Sequence, residues 1–302
     1  MRHEAAIKRL ERDHLRRGLS PVTTAARVRL ARKFLSRVGK PVGKIETDDV
    51  RSYLAQRRAE GLAGTSLGLE LSHLRAFFRA ASSQDPTKGL RVAAQEPRAP
   101  LLLSRRVVQD LLLAASTGPG RPEIKLRDRA CLELLYGTGV RVSEAAATKV
   151  PDLDLVEHSL RVRPAKLGPP RPLPIPEAAV EHIARYLAEG RPLLVARGGG
   201  AGDTLLLARE GRPVTSRGVT SIVDRVAKRA GLHVHAHALR RALATHLVEE
   251  GVTVEAVRQL LGHADLETTA SYVAVKHEEL HEAVSLLDLG EWRDRSQPAR
   301  LP

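Results

Sequence analysis

The 302 residues are 42% apolar, enough to fill more than one core, and include a single cysteine, Cys131, which excludes a disulfide framework and fits a reducing cytosol. No run approaches the roughly 18 apolar residues needed to span a bilayer, and the opening "MRHEAAIKRLERDHLRRG" has no apolar segment of the secretory-signal kind. The expectation is a soluble cytoplasmic protein with no membrane partner. The formal charge is +14 and uneven: residues 1–100 hold 21 Lys and Arg against 10 Asp and Glu, while the rest hold 28 against 25. A solvated surface is the plain reading. The sharper one is a polyanion-binding first half, because basic side chains that neutralise phosphates release counterions. With 3% aromatic residues there is little to stack on single strands, so duplex DNA is the expected partner.

In chain order, "SPVTTAARVRLARKFLSRVG" reads as a helix with Ser20 as N-cap, Pro21 at the first helical position and apolar Val28, Leu30, Phe34 and Leu35. "TDDVRSYLAQRRAEG" gives a second, capped by Thr47 and closed by Gly61. "TSLGLELSHLRAFFRAAS" gives a third, apolar at Leu67, Leu71, Leu74 and Phe78. Basic residues lie between these stripes, so the first hundred residues form an all-helical unit with a cationic face. "QEPRAP", residues 95–100, suits a linker. Beyond it "LSRRVVQDLLLAAS" starts a helix, and "LRDRACLELLYGTGVRVSEAAATKV" reads as two helices joined at glycines. "SLRVR" and "RPLPI" are short strands around a proline-rich turn. From residue 215 the pattern is helical again. The fold class expected is therefore mainly α with a small β-sheet in the second of two domains.

Several charged groups share faces in that second domain. Arg141 and Glu144 in "GTGVRVSE" stand three apart, as do His237 and Arg240 in "HALRRALATH". His263 follows a helix that ends at Gly262, Tyr272 lies nine residues later, and Lys166 sits between the two strands. The alternation of His233, His235 and His237, with His246 beyond, invites a metal reading, but zinc needs three or four convergent ligands. His233, His235 and His246 are expected as surface or capping residues. No metal and no cofactor is expected. Cys131 reads as a small buried apolar residue, and Tyr53, Tyr136 and Tyr186 as core or interface residues.

The order Arg, Lys, His-x-x-Arg, His, Tyr across these fragments resembles the tyrosine recombinases of the Xer and phage-integrase kind. The likeness extends over nearly the whole chain and implies a core-binding, SAM-like helical domain at 1–94, a linker at 95–100, a catalytic domain at 101–290 and a tail at 291–302. It implies catalytic roles for Arg141, Lys166, His237, Arg240, His263 and Tyr272. Two arginines suit a phosphodiester that gains charge on its non-bridging oxygens, since each offers paired planar donors. Tyr272 would be the nucleophile, assisted by His237, with His263 adding a bond to the phosphate and Lys166 protonating the departing 5′ hydroxyl. A 3′-phosphotyrosyl product keeps the energy of the broken bond, so rejoining requires neither ATP nor metal.

The chain departs from the family pattern at several places. Ala165 and Leu167 stand where glycines flank the lysine, Arg241 where a histidine follows the second arginine, and Ala236 where a proline precedes the motif histidine. The segment "HEELHEAVSLLDLG" is amphipathic, with Leu280, Val284 and Leu287 on one stripe, and the likeness implies its donation to a neighbouring protomer. The implied partners are paired half-sites of duplex DNA, three further copies in a tetramer and, in some relatives, a paralogous recombinase. Chromosome dimer resolution is the first reading. Alternatives are an integrase or transposase of a mobile element, a relaxing enzyme of the type IB topoisomerase class, and a non-catalytic architectural DNA-binding protein.

Overall fold

The computed structural model describes residues 3–92, 103–163, 170–262 and 284. The chain divides into two compact units, Met1–Pro100 and Leu101–Pro302. The expected linker at 95–100 lies outside the described residues. Mainly helical architecture with one small sheet is what is found. No described helix is long and apolar enough to cross a membrane.

Among the described residues the first unit has four α-helices: α1 (Glu4–Arg16), α2 (Pro21–Val38), α3 (Thr47–Ala59) and α4 (Gly64–Ala81). Helix α1 was not among the expected elements, yet Ala6, Ile7, Leu10 and His14 form its buried stripe at helical spacing. Ser20 caps α2 as expected, its Oγ accepting the Thr23 N–H at 3.1 Å with Pro21 in the first turn. For α3 the cap is Glu46 rather than Thr47: the Glu46 N–H donates to Asp49 Oδ2 at 2.9 Å, and Thr47 is the first helical residue. The chain's three phenylalanines, Phe34, Phe77 and Phe78, are all in this core, where Phe34 meets Tyr53 and Phe78 edge to face at 5.0 and 5.8 Å. Outside it, Arg12, Arg16, Arg29, Arg58 and Arg79 are exposed with no ion pair among the described residues.

The second unit begins with α5 (Arg105–Thr117), α6 (Pro122–Thr138) and α7 (Val142–Ala147). Then come three short antiparallel strands in sequential order: β1 (Leu153–Asp154), β2 (Ser159–Val162) and β3 (Arg171–Pro174). Strand β1 was not foreseen from sequence. The β2–β3 register pairs Leu160 with Leu173 and Val162 with Arg171. Helices α8 (Glu177–Arg185), α9 (Arg191–Val195), α10 (Ser216–Arg229), α11 (Ala236–Glu249) and α12 (Val254–Leu261) complete it. The core centres on α6, buried around nearly its whole circumference from Ala130 to Thr138. Cys131 is buried there and its thiol is pushed up to about 12. Val284 is buried in the same core, while the rest of the amphipathic C-terminal segment lies outside the described residues.

His246 overturns one expectation. It is neither on the surface nor a cap but 2% exposed, inside the core on α11. Its Nδ1 is 2.9 Å from the Tyr136 hydroxyl and its Nε2 is 2.8 Å from the Leu103 carbonyl. A neutral ring with Nε2–H donating to Leu103 and Nδ1 accepting from Tyr136 satisfies both contacts. Sequence spacing could not show this, because both partners are more than a hundred residues away. Burial, opposed by the Leu103 bond, holds the imidazole below its ordinary pKa. Above about pH 6.5 both folded and unfolded chains are neutral at this residue. Below it the unfolded chain takes a proton that the folded one resists, so stability falls with acidification. Thermal unfolding of the full chain between pH 5 and 8 is expected to show a shallower acid slope for His246→Gln, the remainder coming from His14, His73 and His182, also lowered chiefly by burial. An unchanged slope would contradict the assignment. His246→Ala should cost about 3 kcal/mol at neutral pH by orphaning two polar groups.

Candidate active site

Two helix ends meet at the centre of the site. Helix α6 stops at Gly139 (φ 63°) and α12 at Gly262 (φ 61°), both in the left-handed region that closes a helix. A helix C-terminus leaves carbonyl oxygens without intrahelical donors and carries partial negative charge. Arg240, in the second turn of α11, donates through Nη1 to the Gly139 carbonyl and through Nη2 to the Leu261 carbonyl. It is 4% exposed. Arg141 precedes α7 as its N-cap, and its Nη2 donates to the Gly262 carbonyl at 3.0 Å. Successive carbonyls at the end of α12 therefore hold both arginines of the motif.

Both glycines are left-handed and closely approached by neighbouring side chains. A Cβ on Gly139 would lie 2.6 Å from Leu243 Cδ2 and 2.8 Å from Leu261 Cδ2. One on Gly262 would lie 3.1 Å from both Cζ and Nε of Arg171. Thus the last glycine of "GTG" and the glycine of "LLGH" are called for by backbone conformation, and a side chain there would also push its neighbours aside.

Glu144 joins the arginines. It is buried, and its carboxylate accepts four hydrogen bonds. Oε1 takes Arg141 Nη1 at 3.1 Å and Arg171 Nη1 at 3.2 Å; Oε2 takes the Arg141 N–H at 2.9 Å and Arg171 Nη2 at 3.2 Å. Burial pushes its pKa up, but the Arg171 fork, the Arg141 N–H and their charges outweigh that and hold it below the usual carboxylate range. Burial, then the charge of Arg141, draws Arg240 down to about 10. Arg240 therefore stays protonated at neutral pH. Three guanidiniums around one carboxylate leave a net positive site facing outward through Arg141, whose side chain is 44% exposed. Chemically, such a site is ready to receive an anion with several oxygens, as a phosphodiester is.

Of the six residues singled out from sequence, three are described. Arg141 and Arg240 come together. His237 is exposed in the first turn of α11, one turn before Arg240, and its side chain has no hydrogen-bond partner among the described residues. Lys166, His263 and Tyr272 lie outside the described residues. His233 and His235 are exposed; His235 is the N-cap of α11 and lies 3.5 Å from Asp224. Among the described residues, no group of His, Cys, Asp or Glu could hold a metal ion. Sequence reasoning missed Arg171. The available signal was an arginine opening a strand whose alternate residues are apolar, opposite Val162 at the foot of the proline-rich turn.

Gly139→Ala is expected to lower unfolding free energy by about 3 kcal/mol, from left-handed backbone cost plus overpacking against Leu243 and Leu261. Denaturant titration of the full chain measures it. A loss under about 1 kcal/mol would show that the α6 end can move without penalty.

Residues 102–279 match the phage integrase family, and residues 12–85 the phage integrase N-terminal SAM-like domain. The tyrosine recombinase XerD of Ralstonia nicotianae is 36% identical over 255 residues, which are 82% of this chain and 81% of that protein. The tyrosine recombinase XerC of Lacticaseibacillus casei is 33% identical over 234 residues, 75% of this chain and 77% of that one. A solved lambda integrase tetramer bound to a Holliday junction shares the fold, with a TM-score of 0.63 at 23% identity over 90% of this chain and 80% of that chain. The likeness carried by the arginine, histidine and glycine motifs thus extends across both units, and the chain belongs to the phage integrase family, as a tyrosine-type site-specific DNA recombinase.

Proposed function

We propose that this recombinase cleaves and rejoins duplex DNA through a 3′-phosphotyrosyl intermediate formed on Tyr272, with Arg141 and Arg240 as the phosphate-binding pair. The observation that carries the reading is the convergence of the two arginines on successive carbonyls of α12, immediately before the stretch that holds His263 and Tyr272. The Tyr272 hydroxyl attacks the scissile phosphorus, and the P–O5′ bond breaks. His237 takes the phenolic proton, and Lys166 gives one to the leaving 5′ oxygen. Arg141 and Arg240 hold the non-bridging oxygens as charge builds on them. Reversal with another strand's 5′ hydroxyl restores the phosphodiester and the free tyrosine. Because the intermediate conserves the bond's energy, no step consumes ATP or calls on a metal.

The exposed arginines of the first unit suit a second grip on the duplex, set by phosphates rather than bases. Four protomers, one per half-site, would form the synapse, with the segment 277–290 passed to a neighbour. The family's lambda member is solved as a tetramer on a Holliday junction, which supports this assembly. Identity above 30% to XerD and XerC proteins favours chromosome dimer resolution in the cytoplasm over a mobile-element role. A paralogous partner is part of the same proposal.

The test is a nicked duplex carrying a half-site selected by binding from random-sequence DNA. Wild-type protein should leave a covalent adduct on a denaturing gel, undiminished in EDTA. Tyr272→Phe should leave none. Arg240→Ala should lower the adduct rate by about 10²- to 10³-fold. An adduct that survives Tyr272→Phe, or one that EDTA abolishes, contradicts the mechanism.

A further inference from the structure

We infer that Arg171 is a positioning residue for Arg141: its guanidinium fork occupies one lone-pair site on each oxygen of Glu144, so that Arg141 keeps donors free for the scissile phosphate. This assignment rests on the recombinase reading above and names a residue that the motif order does not contain.

The geometry is a shared carboxylate. Glu144 is 6% exposed, so its four lone-pair sites cannot be filled from bulk water. Arg171 fills two of them, with Nη1 and Nη2 each at 3.2 Å. Arg141 fills the other two, one through Nη1 and one through its backbone N–H. Its remaining side-chain bond goes to the Gly262 carbonyl. Its Nε–H and the second hydrogens of Nη1 and Nη2 have no partner among the described residues, on a side chain 44% exposed. Without Arg171, the nearest cationic donor for a half-satisfied buried carboxylate is Arg141 itself. It would close a bidentate pair with Glu144 and withdraw from the phosphate.

The same geometry directs the Arg171 fork at Glu144. Each terminal nitrogen of Arg171 donates one bond to Glu144, its Nε is buried without a partner among the described residues, and its guanidinium packs on Gly262. Arg171 also faces Val162 across the sheet, at the foot of the turn that carries Lys166 in sequence. One side chain therefore ties β3 to the start of α7 and the end of α12. Among the described residues, the charged groups acting on Glu144 are Arg171 from β3, Arg141 from the start of its own helix and, across the site, Arg240 from α11, all cationic.

Single-turnover cleavage of the nicked half-site by full-length protein tests this. Arg171→Met should bind the half-site within about 3-fold of wild type and cleave about 100-fold more slowly, as expected for a displaced catalytic group. Its acid limb should move to higher pH, because Glu144 keeps the burial that raises its pKa and loses the fork that lowers it. Arg171→Lys, which restores charge without the fork, should recover part of the rate and guards against a folding defect. In Glu144→Gln, adding Arg171→Met should cost less than about 3-fold more. Independent, multiplying losses in the double variant would overturn the assignment, as would a wild-type rate for Arg171→Met. Absence of any adduct with wild-type protein would instead sink the recombinase reading, and this assignment with it.

Discussion

The site depends on keeping one positive charge inside the protein. Arg240 is nearly fully buried, and an unpaired guanidinium there would cost several kcal/mol. Its partners are not carboxylates but the carbonyls of Gly139 and Leu261, at the C-terminal ends of two helices. Both ends carry partial negative charge, so the dipoles of α6 and α12 offset the burial without neutralising the cation. A carboxylate partner would have cancelled the charge that the proposed role of Arg240 requires. Carbonyls leave it available, and the left-handed glycines let both helix ends approach closely enough to supply them.

From that constraint the rest of the site follows. Arg141 takes the next carbonyl along, Gly262, and Glu144 restrains it at the head of α7. Glu144 in turn is held ionised by Arg171 against its own burial. The site thus has a fixed cation inside, a partly exposed cation outside and a bracing carboxylate between them. His246 serves a different end: through Tyr136 and Leu103 it ties α11, which carries His237 and Arg240, to α6 and to the start of the catalytic unit.

Much of this was legible in the sequence wherever the cause is local. Ser20 with Pro21, the glycines closing α6 and α12, and the i, i+3 pairs Arg141–Glu144 and His237–Arg240 all act within one helical turn. The mainly helical class with a small sheet followed from periodicity, and the family from six ordered residues that no single spacing would have identified. The failures have tertiary causes. Glu46 rather than Thr47 caps α3 because Asp49 satisfies the Glu46 N–H, a choice between adjacent residues that composition does not make. His246 is buried because Tyr136 and Leu103 come to it from distant parts of the chain. Arg171 escaped notice for the same reason: its partner, Glu144, is 27 residues away, on helix α7. Lys166, His263 and Tyr272 rest on motif order alone.

The role of Arg240 can be measured by removing charge from the substrate rather than from the protein. A half-site with a neutral methylphosphonate at the scissile position needs less cationic help than the natural phosphate. If Arg240 neutralises the phosphate, Arg240→Ala should cleave the methylphosphonate at least about ten-fold faster, relative to wild type, than it cleaves the phosphate. An equal defect on both substrates would mean that Arg240 only holds α6 and α12 together, and would contradict its place at the scissile phosphate.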